Sequence, residues 1–141
     1  MSILLDTGTL YAFLDRNDYW HSWAISQFSE FSPPFTSCEA VLTETLFLMH
    51  KTNIDTDVLF ELLTRKLLHI QPITHTANGQ KAVRNIMNKY NDLPASFADS
   101  CLVLLAEKTH RSRVITLDKH FSIYRTTKGE VISTISPHSQ Y

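Results

Sequence analysis

Apolar residues fall into two rhythms along this chain. Short unbroken runs, Ile3-Leu4-Leu5 and Val114-Ile115-Thr116-Leu117, have the length of strands buried on both faces, and an acid follows each, Asp6 and Asp118. Elsewhere apolar positions recur at helical spacing between turn-forming residues. The pattern predicts a strand over 2–5, a helix over 9–14, a polar break over 15–18, and a helix capped by Asp18 that carries Trp20, Trp23, Ala24 and Phe28 to a stop near Ser32-Pro33-Pro34. A short strand at 35–36 follows. Helices are then expected from Ser37 to about His50 and, capped by Asp55, from Thr56 to about Leu68. A strand over 68–73 is marked by Pro72 as an edge or an end. Next come a helix over about 76–90 and the clearest helix of the chain, about 94–109 with Pro94 near its first turn. A strand over 113–117, a helical turn over 120–124 and a last strand over 131–135 complete the pattern.

Strands that alternate with helices imply an α/β layer structure, a mostly parallel sheet with helices on both faces. The 141 residues suffice for one domain with one core. Sites in such sheets lie at the carboxyl ends of strands, where Asp6 and Asp118 are expected.

Two more acids occupy apolar stripes. Glu44 sits among Ala40, Val41, Phe47 and Leu48, and Asp99 shares a helix face with Leu102, Val103 and Ala106. Carboxylates placed so lose hydration and repel one another where they converge, which calls for protons or cations, a divalent metal first among them. Local roles compete with this reading for single residues. Ser96-x-x-Asp99 has the form of a capping box, and Asp118 is placed to end a strand and cap the next turn.

In this order the four acids resemble those of PIN-domain proteins, and within that family most closely the VapC-type toxin ribonucleases of toxin–antitoxin pairs. The resemblance covers nearly the whole chain. It rests on Leu4-Leu5-Asp6-Thr7-Gly8-Thr9-Leu10, on Val41-Leu42-Thr43-Glu44-Thr45-Leu46, on Leu93-Pro94-Ala95-Ser96-Phe97-Ala98-Asp99-Ser100, and on Ile115-Thr116-Leu117-Asp118-Lys119-His120-Phe121 with Tyr124-Arg125. It implies a PIN-like three-layer α/β sandwich and a Mg²⁺- or Mn²⁺-dependent endoribonuclease with a catalytic site of Asp6, Glu44, Asp99 and Asp118. Asp6, Asp99 and Asp118 are then the metal ligands, and Glu44 either a further ligand or the group that orients the attacking water. Hard cations favour carboxylate oxygens and can activate water and offset charge on a leaving oxygen. A cognate antitoxin covering the acidic pocket, or placing a basic side chain in it, and a homodimer are implied in the same way. The sequence departs from many relatives at Gly8, where they carry Asn or Ser; Thr7, Thr9 or Thr116 are the candidates to supply a hydroxyl instead. Asp92 is a second-tier acid for the rim.

Charge adds one detail. The formal net charge is only −1, so nucleic-acid binding must come from local distribution. Residues 108–128 hold six Lys or Arg against the single acid Asp118, and Arg111, Arg113, Lys119 and Arg125 are the candidates for RNA phosphates, with a solvated face as the plain alternative. Asp55-Thr56-Asp57 has no strand before it and reads as a helix cap. The histidines show no metal-binding spacing, and no Walker or GxSxG loop is present. Cys38 and Cys101 read as buried thiols, no apolar stretch is long enough to cross a bilayer, and the cytoplasm is the expected compartment. Other PIN-fold nucleases, RNA-processing enzymes and a non-catalytic RNA-binding module remain as rivals.

Overall fold

The run Ile3-Leu4-Leu5 lies in the middle of the molecule: β1 (Ser2–Leu5) is the central strand of the sheet in the computed structural model, which describes residues 1–93 and 95–138. All three residues are buried, which requires cover on both faces. The chain continues through α1 (Thr7–Leu14) and α2 (His21–Glu30) into β2 (Phe35–Cys38). Next are α3 (Glu39–Lys51), α4 (Asp57–Thr64) and β3 (Leu68–Gln71). Helices α5 (Ala77–Lys89) and α6 (Phe97–Lys108) lead back to β4 (Ser112–Ile115), a 3-10 turn (Lys119–Ser122) and β5 (Thr134–Ile135).

Among the described residues five strands form one sheet in the order β3-β2-β1-β4-β5, and every strand pair is parallel. The chain first builds outward from β1 through β2 to β3, then crosses back to add β4 on the other side. This reversal opens a crevice at the carboxyl ends of β1 and β4. Register makes the neighbours exact: Leu5 stands beside Ile115, so the next residues, Asp6 and Thr116, emerge together.

Helix α6 runs through the core. Ala98, Cys101, Leu102, Val103, Leu104 and Leu105 are all buried, and the helix packs against α3, α5, β2 and β4. A helix with so little polar face is held by packing, and its start is pinned by a cap rather than by solvent-facing charge.

Several boundaries differ from the sequence pattern for local reasons. Asp18 does not cap α2; its carboxylate accepts the Trp20 N–H at 2.8 Å and closes the preceding turn, and the helix starts at His21. Ser37 belongs to β2, where its hydroxyl donates to the Leu5 carbonyl at 2.7 Å, so α3 starts at Glu39. α4 stops at Thr64 because Lys66 takes a left-handed conformation (φ 59°), with its N–H on the Leu63 carbonyl and that of Leu67 on the Leu62 carbonyl. β3 is an edge strand, as Pro72 implied. The last strand is shorter than expected: Val131 makes only an isolated antiparallel bridge to Arg125, and β5 is two residues long. Pro94 lies outside the described residues, and α6 begins three residues after it, capped by Ser96.

Candidate active site

Asp6 is the N-cap of α1. Its Oδ1 accepts the Thr9 N–H at 2.9 Å and its Oδ2 accepts the Thr116 hydroxyl. The parallel register that seats Thr116 beside it also buries it, leaving 4% of its surface exposed. Burial dominates its ionisation and pushes its pKa up to about 6, against the pull of the Thr116 and Thr9 hydrogen bonds and with a further push from the charge of Asp99.

Asp99 occupies the third position of α6. Its Oδ2 accepts the Ser96 N–H at 3.1 Å, while the Ser96 hydroxyl accepts the Asp99 N–H at 3.0 Å, a complete capping box. The local role and the site role therefore coexist, because one oxygen serves the cap and the other has no partner among the described residues. Burial raises the pKa of Asp99 most, the Ser96 N–H opposes it, and the charges of Asp118 and Glu44 raise it further. Glu44 projects from α3 and accepts the Thr7 hydroxyl at 2.9 Å, which ties it to the first turn of α1 just after Asp6. Asp118 ends the segment after β4. Its Oδ1 accepts the His120 N–H at 2.9 Å and lies 2.9 Å from the His120 Nδ1, which makes Nδ1–H the donor.

The four acids thus come from four separate elements to one end of the sheet, with Asp99 as the hub: it feels Asp6, Glu44 and Asp118 electrostatically. Among the described residues His120 on Asp118 is the one ion pair, so no Lys or Arg neutralises the other three. Nor do any three His, Cys, Asp or Glu side chains among the described residues stand close enough to enclose one ion as they are. Asp99 and Asp118 are held by hydrogen bonds within their own segments, Asp6 by Thr9 and by Thr116 of the neighbouring strand's end, and Glu44 by Thr7 of α1. The donor set, all oxygen and all anionic, fits a hard divalent cation, which Asp6, Asp99 and Asp118 could hold, with Glu44 tied to Thr7 next to Asp6. The buried Tyr124 hydroxyl, without a partner among the described residues, lies within the field of Asp99 and Asp118.

The basic candidates are dispersed. Lys119 is exposed directly beside Asp118. Arg125 donates from Nη1 to the carbonyls of Ser122, Ile123 and Tyr124, so it clamps the 3-10 turn that follows Asp118. Arg113 lies within β4 and reaches the Thr134 carbonyl at 3.5 Å. Arg111 precedes the amino end of β4, the opposite end of that strand from Asp118, in a left-handed turn (φ 54°). Asp92 is exposed in the turn after α5.

The threonines divide the hydroxyl work: Thr7 serves Glu44, Thr116 serves Asp6, and Thr9 donates to the Ile115 carbonyl at 2.9 Å. Tyr124 belongs to the fourth block of the resemblance, which assigns it no role. Its signal in the sequence is a tyrosine at a core-like position among Phe121 and Ile123, where phenylalanine would pack as well. The two thiols are buried and hydrogen-bonded to each other across the β2–α3 junction and α6; that bond lowers the Cys38 pKa, and its counterpart raises that of Cys101. At Gly8, a Cβ would meet Leu117 at 3.7 Å and Asp6 Oδ1 at 3.9 Å, which is ordinary contact. Gly8→Ala is therefore expected to raise the unfolding free energy in urea by roughly 0.5–1 kcal/mol, the helix cost of glycine. A loss of stability would show that the α1 turn needs the bare backbone.

A model of the PIN domain family matches residues 3–126. No curated protein matches the chain in sequence. Among solved structures, the crystal structure of Mycobacterium tuberculosis VapC20, a Sarcin-Ricin loop cleaving toxin, superposes with a TM-score of 0.74 over 86% of this chain and 94% of that one, at 19% identity. At that identity the likeness is one of fold. Among the described residues no helix is long and apolar enough to cross a membrane.

Proposed function

Because this chain belongs to the PIN domain family, we propose that it is a metal-dependent endoribonuclease, the toxin of a toxin–antitoxin pair, with Asp6, Glu44, Asp99 and Asp118 as its catalytic carboxylates. The single observation that carries this is the gathering of these four acids, from the N-cap of α1, from α3, from α6 and from the segment after β4, at the crevice beside β1 and β4, with no ion pair to Lys or Arg among the described residues. The fold neighbour that cleaves the Sarcin-Ricin loop supports RNA as the substrate class.

A bound Mg²⁺ or Mn²⁺ supplies an activated water and charge for the leaving oxygen. The chain's own residues do the rest. Asp6 and Asp118, braced by Thr116 and His120, present fixed oxygens; Asp99 keeps one oxygen for the cap and one for the site. Glu44, held by Thr7 at 2.9 Å, would bind the cation or orient the water. Lys119 beside Asp118 is the nearest contact for a backbone phosphate, and Arg113, Arg125 and Arg111 follow along the 111–125 segment. An antitoxin would cover this negative opening with a basic side chain, and a homodimer is part of the same proposal.

The test is purified protein on structured RNAs, including a Sarcin-Ricin loop oligonucleotide, with Mn²⁺ or Mg²⁺ against chelator. Cleavage should require the cation and fall at least about a hundredfold in Asp99→Asn, since loss of even an outer-shell partner costs roughly 10–100-fold. Cleavage of matched DNA at equal rate would point to a general PIN-fold nuclease. RNA binding without any cleavage would point to a non-catalytic module.

A further inference from the structure

Tyr124 is 1% exposed, yet its hydroxyl has no hydrogen-bond partner among the described residues. The ring cannot turn that hydroxyl to solvent, because it packs edge-on against Tyr90 and Phe121, each with centroids 5.1 Å away. Tyr90 makes a contrast, since its own hydroxyl accepts the Arg125 N–H at 2.8 Å. A core position that needed only shape would be filled by phenylalanine without leaving a polar atom unpaid. Burial first, and then the charges of Asp99 and Asp118, hold the phenol protonated, so it stands in the field of the acidic hub. It is thus a buried neutral donor in the field of two carboxylates, each of which has one oxygen without a partner among the described residues.

We propose that the Tyr124 hydroxyl is a positioning residue of the acidic site, a donor held for the Asp99 and Asp118 carboxylates and engaged when a divalent cation draws them together. The inference rests on the metal-dependent reading above. It explains why the splayed acids can close without a further basic residue: the hydroxyl orients a carboxylate oxygen while adding no charge that would compete with the cation.

Tyr124→Phe, which keeps the ring packing, tests this beside wild type and Asp99→Asn. Mn²⁺ affinity by titration calorimetry is expected to fall about 10–100-fold, as for other outer-shell partners. The melting temperature in chelator should stay level or rise, because an unpaired buried hydroxyl is gone. Cleavage should need correspondingly more Mn²⁺ for half-maximal rate. Unchanged Mn²⁺ affinity in Tyr124→Phe, with wild type binding and Asp99→Asn not, would overturn the role of Tyr124 alone. A lower melting temperature in chelator would assign the hydroxyl to the fold and overturn it as well. A wild type that does not bind Mn²⁺ would remove the metal reading and this inference with it.

Discussion

Asp6→Asn is expected to make the metal-free protein more stable by up to about 3 kcal/mol near neutral pH while lowering RNA cleavage at least about a hundredfold. The opposite signs have one cause. Burial raises the Asp6 carboxyl from its ordinary 3.8 to about 6, and at 1.36 kcal/mol per pKa unit this gap is on the order of 3 kcal/mol of penalty for the ionised form. A raised folded-state pKa means that the native protein binds this proton more tightly than the unfolded chain. The penalty is therefore fully present above about pH 6, is relieved as pH falls, and is gone below 3.8. Asparagine removes the charge but keeps the α1 cap, for which it is as good as aspartate. Urea unfolding in chelator at about pH 7.5 should show the variant ahead, with the two proteins converging near pH 4. A variant less stable than wild type at both pH values would mean that Asp6 serves the fold, and the acidic-site reading would lose its support.

The second large effect belongs to Thr116. Its hydroxyl donates to Asp6 Oδ2 and accepts the Asp118 N–H at 2.9 Å, so it braces two of the four acids at once. Thr116→Val keeps the volume and removes the hydroxyl, which leaves a buried carboxylate short of a donor. The expected cost at neutral pH is about 1.5–3 kcal/mol, the range for hydrogen bonds to charged groups. In the Asp6→Asn background the same substitution should cost much less, because the charge that needed the donor is absent. A double-mutant cycle reads this as a coupling energy of about 1 kcal/mol or more. Strict additivity would show that the contact carries no energy of its own. The two variants together also separate Asp6 from Asp118, since only the Thr116 substitution touches the latter.

The gathering of charge has a structural logic that these predictions share. Three of the acids are first local devices, since Asp6 caps α1, Asp99 completes the capping box of α6 and Asp118 caps the 3-10 turn, while Glu44 is held from outside its own helix by the Thr7 hydroxyl. Helix and turn starts near the carboxyl ends of parallel strands point their free N–H groups into one crevice, so carboxylates recruited as caps are already close to one another. The site is thereby assembled from groups whose local hydrogen bonds offset part of their repulsion.

Much of this was legible in the chain itself. Uninterrupted apolar runs ending in Asp6 and Asp118 determined β1, β4 and the end of the sheet at which the acids lie, because only strands covered on both faces lose their polar alternation. The Ser96-x-x-Asp99 spacing has the form of the capping box that starts α6, although the sequence pattern placed that start near Pro94, three residues early. Tertiary structure alone decided what depends on contacts distant in sequence. Ser37 joined β2 because the Leu5 carbonyl, 32 residues away, takes its hydroxyl. Arg113 faces the Thr134 carbonyl and Arg125 the carbonyls of its own turn, neither of which charge counting could show. Asp6 meets Thr116 across 110 residues, and the buried Tyr124 hydroxyl is left without a partner among the described residues, because strand register and helix packing decide which groups meet. Local periodicity carries the free energy of short-range choices; burial, and the pKa it raises at Asp6, exists only once the whole sheet has closed around it.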